Sequence, residues 1–332
     1  MIVCIFGDVA PVLKKLRAVK SLMKKFWQAL KISFSEFNKD NGLKLSASLA
    51  YYTIFSIPPL LIIIISLSGF FFGQEAIEGK VYSQIAGLVG SAPALQVQEA
   101  IKNSALSVKS QMAHVISIVI LLLAATGVFA EIQDSINIIW GLRTKPKKHL
   151  LKLLLNRLMS FSMIATMGFI LLVSLMVSSL LELLSDKLVQ AFPEVTIYVA
   201  YAINVLILFA VISLLFATIF VILPDGKIKW RHVRMGAYFT AFLFMVGKFA
   251  IGFYLGKSHI ATIYGAAGSL IIILIWVYYS SIILYFGAEF THVYALLHGH
   301  KIRPNDYAVS IEKIIIETEP VTNEKTVIVE KV

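Results

Sequence analysis

The sequence predicts an all-α polytopic membrane protein with six transmembrane helices and both termini in the cytoplasm. Three observations carry that prediction. First, hydrophobic residues make up 58% of the 332 residues and charged ones only 15%, with a mean hydropathy of +0.82. Soluble domains hold about 25% charged residues and about 45–50% apolar ones. Second, the excess lies in long runs, and a crossing helix needs about 20 mostly apolar residues. Six segments qualify: roughly 47–72, 113–135, 157–184, 195–223, 233–255 and 266–296. Third, Lys and Arg alternate in density between the connections. The flank up to residue 46, the connection through Arg157, the stretch "PDGKIKWRHVR" and the tail from residue 297 together hold 24 of them. The three alternate connections hold only Lys80, Lys102, Lys109, Lys187 and Lys257. Cytoplasmic loops are the basic ones. The net charge of +11 is therefore a topology signal, and no nucleic-acid partner is implied. The division is a cytoplasmic N-terminal segment over 1–46, a transmembrane domain over 47–296 and a cytoplasmic, flexible tail over 297–332.

The N-terminal segment opens on "IVCIF", too short for the apolar core of a signal peptide and with its positive charges after it; no cleavage is expected. Cys4 is the only cysteine, so an intrachain disulfide is excluded, and without a lipobox it reads as a plain thiol. From Pro11 to Phe37 the chain is basic and amphipathic. Leu13, Leu16, Met23, Trp27, Leu30, Phe34 and Phe37 recur near every 3.5 residues among lysines. Two placements fit such a helix: along an anionic leaflet, or against the cytoplasmic ends of the bundle.

Pro58 and Pro59 interrupt the first span, which deprives the carbonyls of Ile54 and Phe55 of their usual donors and predicts a kink. The outer connection, 73–112, carries apolar faces on either side of "GSAP", so two short interfacial helices are expected there. The second span ends in "GVFAEIQDSINIIWG", where Glu131, Asp134 and Asn137 arrive at steps of three. Such residues share a helix face. Either the helix leaves the membrane here or these groups line something. In the fifth span Lys248 stands well inside apolar sequence; it either snorkels outward or meets a partner, for which Glu182 is the candidate by depth. Gly252 and Gly256 have the small-xxx-small spacing of close helix packing. In the sixth span Tyr278, Tyr285, Glu289 and His292 follow one face and reach the depth of Glu131. Ionisable groups at that depth are costly unless they meet the bundle interior, water or a partner. A cytoplasm-facing polar cavity of Glu131, Asp134, Asn137, Glu289, His292 and Lys248 is the sharper reading; hydrogen bonding between helices is the plainer one. The tail from Arg303 mixes Glu and Lys, and is expected to be solvated with weak strand tendency.

No catalytic machinery stands out. "GFYLGKS" at 252–258 lacks the four residues that a phosphate loop needs between its glycines. Of the seven histidines only His298 and His300 are close in sequence, with no acidic residue beside them, whereas a hydrolytic metal site wants three ligands and a base. No hydrolase elbow appears. The chain is thus expected to be no enzyme and to need no cofactor, and the sequence leaves its oligomeric state open.

Three stretches taken together resemble the YihY/BrkB family of bacterial inner-membrane proteins. They are "ASLAYYTIFSIPPLLIIIISL" at 47–67, "EIQDSINIIWGLR" at 131–143 and "YGAAGSLIIILIWVYYSSIILYFGAEFTHVYA" at 264–295, with "LPDGKIKWRHVRMGA" at 223–237 in support. The positions that match are Tyr51, Tyr52, Pro58, Asp134, Asn137, Trp140, Gly268, Trp276, Tyr279, Gly287, Ala288 and Glu289. The resemblance implies six inner-membrane helices and supplies no catalytic residues. The family's old ribonuclease label is generally considered mistaken, some members are named virulence factors, and one is linked to movement of lipopolysaccharide precursors. With the polar cluster and the broken first span, it implies a flippase-like translocator of a lipid or lipid-linked envelope component. A non-transporting scaffold for envelope assembly is the alternative, and ribonuclease activity is not expected.

Overall fold

A computed structural model of the chain describes residues 9–56, 91, 95, 127–145, 193–257, 264, 268–311, 315–317 and 326–328. Pro58, Pro59, Glu182, the third span and, apart from helical Ser91 and Leu95, the outer connection lie outside the described residues. The described chain is mostly helical. It comprises α1 (Val9–Lys39), α2 (42–56), α3 (127–139), α4 (Pro193–Ile222), α5 (Trp230–Lys257) and α6 (Gly268–Leu297). Among the described residues three stretches are long and apolar enough to cross a bilayer: Ala202–Ile222, Trp230–Leu255 and Leu270–Leu297.

Helix ends follow local chemistry. α1 stops where Asn41 takes a left-handed φ of 56°, a conformation asparagine tolerates better than most residues. α3 and α6 are closed by Gly141 and Gly299, at φ 63° and 72°, the usual residue for a left-handed helix terminus. Between its helices the chain adds short ladders, expected only as a weak strand tendency in the tail and not at 142–144 or 226–227. β1 (Leu142–Thr144) pairs antiparallel with β4 (Ala308–Ser310), and β2 (Gly226–Lys227) pairs with β3 (Arg303–Pro304). β5 (Ile315–Glu317) and β6 (Thr326–Ile328) form a separate hairpin. The tail was expected to be solvated and flexible, yet residues 303–310 are paired onto the ends of the bundle.

α1 resolves the choice between its two placements by dividing its surface. Ala29, Ser33 and Phe37 are buried, and Phe26 sets its ring edge-on to Phe290 and Phe239 at 5.4 and 5.9 Å. The helix therefore packs against α6 and α5. A neighbouring stripe of Met23, Trp27 and Phe34 stays exposed.

α5 and α6 run antiparallel through a seam of small residues. A methyl group on Gly236 would collide with Thr291, one on Gly287 with Thr240, and one on Gly247 with the Tyr279 hydroxyl. Of the pair Gly252 and Gly256, Gly252 takes no part in this seam. Gly252 has open space where a side chain would go, because that part of α5 presents Phe249, Phe253 and Tyr254 outward.

Candidate functional site

The ends of α3, α4, α5 and α6 meet in one polar region, and its centre is Asp225. Pro224 and Asp225 stop α4, and Gly226 starts β2 where any side chain would strike Leu142 and Ile302. This tight passage carries Asp225 fully inside. Its carboxylate accepts hydrogen bonds from Gln133 Nε2 at 2.8 Å, Asn137 Nδ2 at 3.0 Å and Thr144 Oγ1 at 3.2 Å. Its own backbone N–H donates to Asn137 Oδ1 at 2.8 Å, so the Asn137 amide grips both the side chain and the main chain. The Asp225 carbonyl accepts from the Asn305 N–H at 2.9 Å. Buried polar groups are costly unless satisfied; here donors from α3, β1 and the tail converge on one acid.

The tail closes the arrangement. Ile311 N–H donates to Gly141 at 2.7 Å, and Lys145 N–H donates to Tyr307 at 2.9 Å. Lys145 Nζ reaches the Asp306 carbonyl at 2.9 Å. Burial, above all, raises the Tyr307 phenol above its ordinary pKa, and the Asp225 carboxylate adds to that rise. The Asn305 amide, donating to the phenol oxygen at 3.2 Å, works the other way.

The predicted site residues divide. Asn137 is buried on Asp225, whereas Asp134 is exposed. Glu131 is half-buried and accepts a long 3.5 Å bond from Ser135; Tyr285 of α6 lies beside both. Glu289 is 1% exposed, with its Oε1 4.0 Å from His292 Nδ1 one turn on. Glu131 thus faces α6 at Tyr285, and Trp140 ties α3 to α6 by donating its indole N–H to the carbonyl of Ala288, the residue before Glu289, at 3.1 Å. Lys248 is half-buried beside Gly247, whose partner Tyr279 stands ten residues before Glu289. At 1.5 Å per residue that separates Lys248 from Glu289 by about 15 Å along the bundle.

Two groups escape a reading of the sequence. Asp225 sits in "LPDG", where turn chemistry is reason enough for an aspartate. Gln133 has no charge to mark it in an apolar run, although its spacing of four from Asn137 places both on one face. His232 also joins the pair His298 and His300, with ring centroids 6.0 and 4.7 Å away. Among the described residues no three His, Cys, Asp or Glu are placed to hold a metal.

The family described as Virulence factor BrkB matches residues 33–309, from the packed half of α1 into β4. The chain belongs to the BrkB family. Several matching positions of this family now have contacts: Asn137 on Asp225, Trp140 on Ala288, Gly287 on Thr240 and Tyr279 on Gly247. Among BrkB relatives, the UPF0761 membrane protein Mpe_A1422 of Methylibium petroleiphilum is 28% identical over 281 residues. That match covers 83% of this chain and 64% of the relative, so the chain spans just under two thirds of that protein's length. The Bacillus subtilis protein YfkH, named ribonuclease-like, is 26% identical over 83% of this chain and 98% of its own. A UPF0761 membrane protein of Delftia acidovorans is 32% identical over 52% of this chain and 39% of its own. No solved structure matches the chain.

Proposed function

We propose that this BrkB protein is a translocator of a lipid or lipid-linked envelope component. It sits in the bacterial cytoplasmic membrane by six spans with both termini inside. The observation that carries the reading is Glu289, 1% exposed within an apolar crossing helix and 4.0 Å from His292. Ionisable side chains inside membrane helices are expensive and tend to serve pathways or relays. The topology is supported by the meeting of α1, the α3–β1 turn, the α4–α5 turn and the tail at one end, since these are the Lys- and Arg-rich segments. The reading requires no cofactor, no catalytic residue and no nucleic acid.

Proteoliposomes with fluorescent lipids in one leaflet test it. The expected result is lipid movement above that of protein-free vesicles, reduced in Glu289→Gln, with the variant as stable as wild type. No movement across a broad panel of lipid headgroups sinks the proposal.

A scaffold without transport is the second reading, favoured by the saturated hydrogen bonding at Asp225. It expects Glu289→Gln to lower the unfolding temperature of a protein that moves nothing.

A further inference from the structure

We infer that a groove between α1 and the first turns of α5 binds an anionic phospholipid of the bilayer. The groove has a volume of about 530 Å³ and is lined by Arg231 and Arg234 together with Met23, Phe26, Met235, Tyr238 and Tyr294. The two arginines are three residues apart, on one face of α5. Met235 and Tyr238 continue that face one turn further, followed by Phe242, Val246, Phe249 and Phe253, all exposed. Along a single helix face the surface therefore changes from two guanidiniums to uninterrupted apolar side chains, in the order of a phospholipid's phosphate and acyl chain. Trp230 is exposed beside the arginines, a residue suited to the headgroup level.

Charge complementarity identifies the occupant. Among the described residues neither guanidinium makes an ion pair or hydrogen bond, so both forks remain available to phosphate oxygens, the geometry arginine matches best. Basic pockets between membrane helices recognise anionic headgroups by this chemistry. A zwitterionic lipid would offer the same chain but carry its own cation beside the phosphate. Such a site is independent of translocation: it needs the chain to sit in a bilayer, not to move anything across it, so a failed transport assay leaves it standing.

The test uses the purified full chain, delipidated in a neutral detergent and titrated with phosphatidylglycerol or phosphatidylcholine, with bound lipid counted by native mass spectrometry. Each basic residue near an anionic surface contributes about fivefold, so the pair should favour phosphatidylglycerol by roughly 30-fold. Arg231→Gln with Arg234→Gln should erase the preference, and Arg231→Lys with Arg234→Lys, which keeps the charge but loses the fork, should keep part of it. Lys24→Gln with Lys31→Gln, which removes equal charge from α1 outside the groove, should leave it intact. If the arginine variant fails to fold, Met235→Glu must abolish the preference by itself. Retention of the preference without the arginines overturns the site, as does equal loss in the lysine variant. Displacement of the lipid by excess inorganic phosphate would reduce it to an anion site and overturn it too.

Discussion

At the scale of single residues, Asp225 has the sharpest consequence. Gln133, Asn137 and Thr144 all donate to its carboxylate, the pattern an ionised, acceptor-only group satisfies. Asp225→Asn keeps the shape but turns an amide N–H₂ against a donor. An unsatisfied buried polar group costs about 1–3 kcal/mol. Thermal unfolding in detergent should show that loss, and an unchanged midpoint would mean the acid is not held as described. The same substitution in a merely exposed turn would be silent. The row at Glu131, Asp134 and Asn137 was legible as polar groups on an apolar helix, but not as one surface. Each step of three falls about 60° short of a full turn, so the row swings about 120° and only its last member points at Asp225. Gln133 and Asn137, four apart, make the face that is used. Asp225 itself was hidden, since nothing in a "PDG" turn distinguishes a hub from an ordinary turn residue. Glu289 was legible because no turn chemistry accounts for a carboxylate inside an apolar helix eight residues before its end.

At the scale of elements, the α5–α6 seam determines how closely two long helices approach. Gly287 and Thr240 interlock, as do Gly236 and Thr291. Gly287→Ala therefore forces Thr240 or the helix itself to move. Overpacking of this kind costs about 1–3 kcal/mol, more than alanine's better helix propensity returns. Thr240→Ala should recover part of the loss in the double variant, because it removes the atoms that collide. A double-mutant cycle from unfolding curves checks this: additive losses would mean the two residues do not touch. The seam was legible only in part. The small-xxx-small spacing at Gly252 and Gly256 is the familiar signal, yet at Gly252 no neighbour packs against it. The glycines in use, Gly236 and Gly247, are eleven apart. That distance is three turns and returns to the same face, a signal that a search at spacing four passes over.

At the scale of the whole molecule, hydropathy made three long apolar helices visible among the described residues, because apolar runs of about 20 residues match the thickness of a bilayer and little else. The pairing of the chain's far ends was not visible. Strands of two or three residues are too short to show a period of two, and their partners lie some 80 to 170 residues away. That pairing can be tested by truncation. Removing residues 302–332 deletes β3 and β4, the Asn305 bond to Asp225, the Ile311 bond to Gly141 and the Tyr307 and Asp306 contacts of Lys145. Each such bond contributes about 1 kcal/mol net, so the truncated protein should lose at least roughly 3 kcal/mol in detergent. Removing only residues 312–332 takes away the β5–β6 hairpin, whose strands pair with each other, and should leave the unfolding midpoint where it was. Equal effects of the two deletions would contradict this division of the tail. In that case the strands at 303–310 would be passengers on the bundle, and the Asp225 site would rest on contacts from outside the tail, those of Gln133, Asn137 and Thr144 among them.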